Sequence, residues 1–170
     1  MSRPDCIKNW REIQLPDEGS YPGSQELFGL TSSFSPVFGL TRLGIHHEVL
    51  PPGRRTSWPH AEKTEEEFVF VIEGTPDVWL DGVLHRLAPG DAVGFPAGTG
   101  VCHVLINNSQ SDVRLMVIGE RTKPDNQIHY ALHPQRNAEI GERHWHDVPL
   151  QPQGDHDGLP DQLRESNGPF

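Results

Sequence analysis

Between Thr41 and Gly119 a turn signal recurs about every 8–12 residues, and no other feature narrows the fold more. Thr41 to Leu50 alternates, with Leu43, Ile45, His47 and Val49 on one side, and stops at Pro51-Pro52-Gly53. Phe68 to Ile72 is an apolar run that ends in Glu73-Gly74. Asp77 to Leu80 and Val83 to Leu87 flank Asp81-Gly82, the composition of a two-residue hairpin turn. Pro89-Gly90-Asp91 then separates them from Ala92 to Phe95, Val101 to Asn107 and Val113 to Gly119. No stretch of this region carries helical periodicity, so it predicts short strands only. The chain holds 17 glycines and 16 prolines without a fixed period, which reads as many turns rather than a repeat. The expected fold class is all-β, a sandwich or barrel.

Residues 41–122 carry this pattern and form the expected barrel core. Residues 1–40 are rich in Gly, Ser and Pro and read as an N-terminal arm with one or two strands, such as Glu26 to Leu30. Residues 123–170 are polar and Pro-rich and read as a C-terminal arm with one strand at Gln127 to Ala131.

The formal charge is −10, which repels nucleic acid backbones and anionic membrane surfaces. No apolar run is long enough to span a bilayer, and Met1 to Trp10 lacks the apolar stretch of a signal peptide. Cys6 and Cys102 are too few for a disulfide framework and make no Cys-x-x-Cys motif. The expectation is a cytoplasmic protein with no nucleic acid or membrane partner.

Two patches carry chemistry. The first runs from Gly53 through His60-Ala-Glu62 and Glu67 to Gly74. The second is Gly90-Asp-Ala-Val-Gly-Phe-Pro96-Ala-Gly98-Thr-Gly-Val-Cys-His103-Val-Leu-Ile-Asn107. In order and spacing they resemble the two motifs of the cupin superfamily. Six residues separate Glu67 from Gly74 as in the first motif, and Gly90, Pro96, Gly98, His103 and Asn107 fill the second. Two departures stand out. Glu62 occupies the place of the second His, and the gap from Gly98 to His103 is longer by two residues than the common form. Ser57 to Gly119 is also similar to a group of small single-domain bacterial and fungal cupins, some labelled sugar phosphate isomerase.

The resemblance implies a double-stranded β-helix, or jelly-roll, barrel holding one divalent metal, with His60, Glu62, Glu67 and His103 as ligands. The geometry is consistent with this. His60 and Glu62 are two apart and share a strand face, Glu67 begins the next strand, and His103 begins a third. Imidazole and carboxylate are donors for Mn²⁺, Fe²⁺, Ni²⁺ or Zn²⁺. Two His and two Glu leave a divalent ion neutral, where three His and one Glu leave it positive. That balance ranks Mn²⁺ and Fe²⁺ ahead of Zn²⁺ and Ni²⁺. If Glu62 faces solvent, His60, Glu67 and His103 remain as a two-His-one-carboxylate set.

The other polar residues read more plainly. Glu65 and Glu66 are expected in a solvated turn. His144-x-His146 has metal-like spacing but lies in the polar arm, and is expected to be surface. One of His46 and His47 must face the interior. Cys102, Trp58 and Trp79 read as packing residues. The leading functional expectation is a metal-dependent isomerase or epimerase on a sugar or a hydroxy or keto acid. An Fe²⁺ dioxygenase and a non-enzymatic ligand-binding or sensor barrel are the alternatives. A small-molecule ligand and a homodimer are expected in each case.

Overall fold

Asp81 and Gly82 both adopt positive φ, 43° and 90°. That geometry suits a tight hairpin between right-twisted strands. They join β5 (Asp77–Leu80) to β6 (Val83–Arg86), with Leu80 paired to Val83. The structure, a computed structural model, describes residues 3–166, so the outermost residues of both arms lie outside it. Two five-stranded antiparallel sheets make up the fold. The first runs in the order β1 (Leu30–Ser33), β2 (Leu43–Leu50), β9 (Val113–Glu120), β4 (Glu67–Glu73), β7 (Ala92–Phe95). The second runs β10 (Ile128–Tyr130), β3 (His60–Glu62), β8 (His103–Ile106), β5, β6. The chain crosses repeatedly from one sheet to the other, which gives the expected jelly-roll barrel. Among the described residues no helix is long and apolar enough to cross a membrane.

The barrel core lies between the sheets. Leu50, Val69, Val71, Val78, Phe95, Leu105, Val113 and Leu115 are buried there together. The opposite face of the second sheet is covered as well. Ala61, Trp79, Cys102, Val104 and Ile106 pack against Trp145 of the C-terminal arm. All four residues of β8 are therefore buried, which is why its sequence is continuously apolar after His103 instead of alternating.

The arms are bound to the barrel by specific polar contacts. Glu26 accepts from Arg55 Nε at 2.7 Å, from Arg55 Nη2 at 2.8 Å and from Trp58 Nε1 at 3.0 Å. Arg55 Nη1 donates to the Gly158 carbonyl at 2.9 Å, so one guanidinium holds both arms. The Trp58 ring is stacked between Tyr21 and His133, with centroids at 4.3 and 4.0 Å. Further along, Gly154 passes directly against the β5–β6 turn. Its N–H donates to the Asp81 carbonyl at 2.7 Å, and a β-carbon on either Gly82 or Gly154 would collide with the other's backbone.

One strand expectation shifts, and the choice left open between His46 and His47 resolves. The strand foreseen at Glu26 to Leu30 begins only at Leu30. The preceding residues are docked by side chains, with Glu26 on Arg55 and Phe28 in an aromatic cluster with Trp58 and Tyr130. In β2 the interior face is Gly44, His46, Glu48 and Leu50, not the Leu43 set. Leu50 is in the core, whereas Leu43 is 47% exposed. Trp10 stacks on His47 from outside, at 4.2 Å between centroids. A polar interior at this end of the barrel accounts for the inverted pattern.

Candidate metal centre

β3 and β8 pair so that His60 lies directly opposite His103. Both side chains therefore emerge side by side on the same face. Glu67, the first residue of β4, approaches from the other sheet. One ligand atom from each of His60, Glu67 and His103 lies within 4.8 Å of the others. His103 Nε2 is 3.2 Å from Glu67 Oε2.

The surroundings fix how these groups present themselves. His60 Nδ1 lies 2.9 Å from the Trp58 carbonyl, and His103 Nδ1 lies 3.4 Å from that of Val101. A carbonyl can only accept, so His60 Nδ1 carries the proton and its Nε2 lone pair is free, whereas His103 Nε2 donates to the Glu67 carboxylate and would give up that proton to bind an ion. Backbone partners of this kind orient metal-binding histidines. The His103 ring also lies flat on Phe95, with centroids 3.5 Å apart and planes 4° from parallel. Burial and the neighbouring His103 hold His60 below the usual imidazole range, despite the Glu67 charge and the Trp58 carbonyl. Burial alone would raise the Glu67 carboxyl. The His103 hydrogen bond and the charges of His103, His60 and His46 outweigh it and keep Glu67 below its ordinary value. Two imidazole lone pairs and a carboxylate form a donor set that fits a divalent transition ion.

Glu62 is the sequence-derived ligand that is not among these three. It lines a small cavity of about 10 Å³ with Glu65, Glu67, Phe95 and His103. Burial, then the charges of Glu65 and Glu67, push its carboxyl up to about 8. Glu65 is buried rather than solvated, and accepts from the Lys123 backbone N–H at 2.5 Å. The exposed turn residue is Glu66.

Two interior groups carried less signal in the sequence. His46 faces inward with a buried Nδ1 that has no partner among the described residues. Burial lowers its pKa, the Glu67 charge opposes that shift, and Arg121 adds to it. Glu48, two residues on, is pushed up to about 8 by burial and by the Glu67 charge. It forms part of a groove of about 230 Å³ that also includes Tyr21, Thr31 and Ser57. Only its spacing of two from both His46 and Leu50 could have revealed it. Cys102 is a core residue, its thiol raised to about 12 by burial and the Asp81 charge. Asn107 of the second motif is fully buried. Its Nδ2 donates to the Leu50 and Ser111 carbonyls at 2.7 and 2.8 Å, and its Oδ1 accepts from Ser109 N and Oγ.

Residues 46–119 match the cupin domain family. Among solved structures, one titled a cupin-superfamily sugar phosphate isomerase from Silicibacter pomeroyi is 30% identical with a TM-score of 0.58. That match covers 61% of this chain and 65% of the other, less than two thirds of that protein's length. A putative sugar phosphate isomerase from Acidithiobacillus ferrooxidans is 26% identical with a TM-score of 0.65, over 78% of this chain and 83% of the other. The polyketide cyclase RemF from Streptomyces resistomycificus shares the fold, at 20% identity and a TM-score of 0.57 over 84% and 96% of the two chains. No curated protein matches the chain. The two motifs lie on adjoining strand ends of a jelly roll, within the stretch 46–119 that matches the cupin domain as a unit.

Proposed function

We propose that the protein is a metal-dependent enzyme of the isomerase or epimerase type, acting on a small polar metabolite. The observation that carries this reading is the convergence of His60, Glu67 and His103 beside further interior carboxyl groups. A divalent ion held by those three residues would supply Lewis acidity towards a carbonyl or hydroxyl group. Glu62, whose carboxyl borders the same small void, would give or take a proton at a substrate carbon or oxygen. His60 and His103 stay oriented by the Trp58 and Val101 carbonyls. The names of the two isomerase-like neighbours support the same chemistry.

The cavity beside the ligands is lined by three carboxyl groups and no lysine or arginine. That favours an uncharged sugar or hydroxy-carbonyl compound over a phosphorylated one. The test begins with elemental analysis of the purified protein and of His60→Ala and His103→Ala. Each variant should stay folded and lose the barrel-bound equivalent, and a metal content equal to that of the wild type in either sinks the assignment. Proton NMR in deuterated water then follows exchange at carbons next to the carbonyl in aldoses and ketoses. No exchange above the metal-free control would count against the reaction.

A second reading is an Fe²⁺ dioxygenase, favoured by the two-His-one-carboxylate composition of the gathered donors. Oxygen consumption by the iron-loaded protein separates the two. We further propose a homodimer through the outer face of the first sheet, where Phe68 and Phe70 are 40% and 39% exposed beside Leu43. Sedimentation velocity of Phe68→Glu reads this directly, and an unchanged oligomer would exclude that face.

A further inference from the structure

Three histidines gather outside the barrel, where the metal centre makes no use of them. In β10 Tyr130 turns towards His60, with ring centroids 5.8 Å apart, so the neighbouring His129 points to the opposite face. A parallel bridge between Ile128 and His144 brings the 141–146 segment alongside. The Trp145 N–H donates to the Ile128 carbonyl at 2.9 Å and pins that segment in register. His129 Nδ1 and His144 Nε2 end 3.3 Å apart. The His146 ring stands against that of His144, at 4.2 Å between centroids. His144 and His146 open onto a cleft of about 640 Å³, with Glu142 and Asn137 on its walls.

We propose that His129 and His144, with His146 as third donor, form a second metal site selective for a transition cation such as Zn²⁺, Ni²⁺ or Cu²⁺. Two nitrogen donors at about 2.05 Å from a tetrahedral ion are about 3.3 Å apart, the separation of this pair. A separation of 3.3 Å is long for a hydrogen bond between ring nitrogens. Imidazole donors select zinc, nickel and copper over magnesium and calcium. Burial and the adjacent histidine hold both His129 and His144 below the usual imidazole range, which leaves their lone pairs available. His146 is exposed, so its ring can turn towards a bound ion. A bound cation would cross-link β10 to the segment that buries Trp145 against the second sheet. In sequence, His144-x-His146 lacked a third donor at recognisable spacing, and the fold supplies it from β10.

The site is independent of the barrel metal and is tested on the full chain after stripping with chelator. Zn²⁺ titration calorimetry should find two equivalents in the wild type and one in each of His129→Gln and His144→Gln. His60→Ala should lose the barrel equivalent and keep the outer one at unchanged affinity. His146→Gln should weaken the outer site about tenfold, which is about 1.4 kcal/mol. Co²⁺ added to His60→Ala should give the intense visible absorption of a tetrahedral ion, absent from the His60→Ala, His144→Gln double variant. The proposal is overturned if both His129→Gln and His144→Gln bind as many equivalents as the wild type with equal affinity. It is equally overturned if His60→Ala binds none.

Discussion

Replacing Glu26 with alanine should unfold this protein more readily than almost any other single change in its arms. Arg55 is fully buried, and its partner carboxylate is 1% exposed. The substitution removes both Arg55–Glu26 hydrogen bonds and the acceptor of Trp58 Nε1, leaving the guanidinium only the Gly158 carbonyl. A buried cation stranded this way costs about 3–5 kcal/mol. For a domain of this size each kcal/mol shifts the melting temperature by about 2–4 °C, so the expected drop is about 10 °C. Differential scanning fluorimetry of chelator-treated protein measures it. Arg3→Ala, which breaks an exposed pair with Glu12, is the control and should shift the melting point by no more than about 2 °C. The joint change Glu26→Met, Arg55→Met should recover at least half of the loss, because it removes the charge along with its partner. A loss below about 1 kcal/mol in Glu26→Ala would refute the reasoning, since the cation would then have found water or another partner.

Three further outcomes are expected. Phe95→Ala takes away the ring on which His103 lies, and should cost about 3–5 kcal/mol of stability together with at least tenfold in Mn²⁺ or Zn²⁺ affinity of the barrel site; competition with a chelating dye reads the second effect, and affinity within twofold of wild type would exclude it. Asn107→Ala strips both donors and the acceptor from the loop joining β8 to β9 and should cost about 2–4 kcal/mol in urea unfolding, with a value under 1 kcal/mol counting against that role. Glu48 titrates near 8 in the fold but near its ordinary value when unfolded, so the folded state binds the extra proton and stability declines as pH rises from about 4.5 to about 8. Glu48→Gln removes that slope, which is at most about 1.4 kcal/mol per pH unit, so its melting temperature in chelator should gain on wild type between pH 5 and pH 8; a difference that stays constant across this range would show that the carboxyl is not held protonated.

Much of this was legible because turns are local. Asp81-Gly82 needs positive φ at both positions, and few other dipeptides offer it, so β5 was visible to the residue and β6 to within one, ending at Arg86 instead of Leu87. His60, Glu67 and His103 were legible through motif spacing, and each heads its strand. The depth of a side chain within the barrel was not. His60 and Glu62 share a face, but two residues of strand separate their backbones by about 6.6 Å, and nothing local states which way a carboxyl leans. The inward face of β2 was obscured because a functional interior is polar there, with His46 and Glu48 inside and Leu43 outside. Arg55 gave no sign of burial because its partners lie 29 and 103 residues away.

The close passage of Gly154 across the β5–β6 turn bears on how such a protein can change over time. Hairpin tips are where insertions, tags and length variation are ordinarily accepted. Here the tip is roofed by the C-terminal arm, whose N–H groups at 154 and 156 bond to the carbonyls of Asp81 and Gly82. A lineage that lengthens this hairpin must also reroute its tail, and one that loses the tail frees the hairpin to drift. Residues 82 and 154 should therefore vary as a linked pair across relatives, glycine with glycine, although 71 positions of chain lie between them.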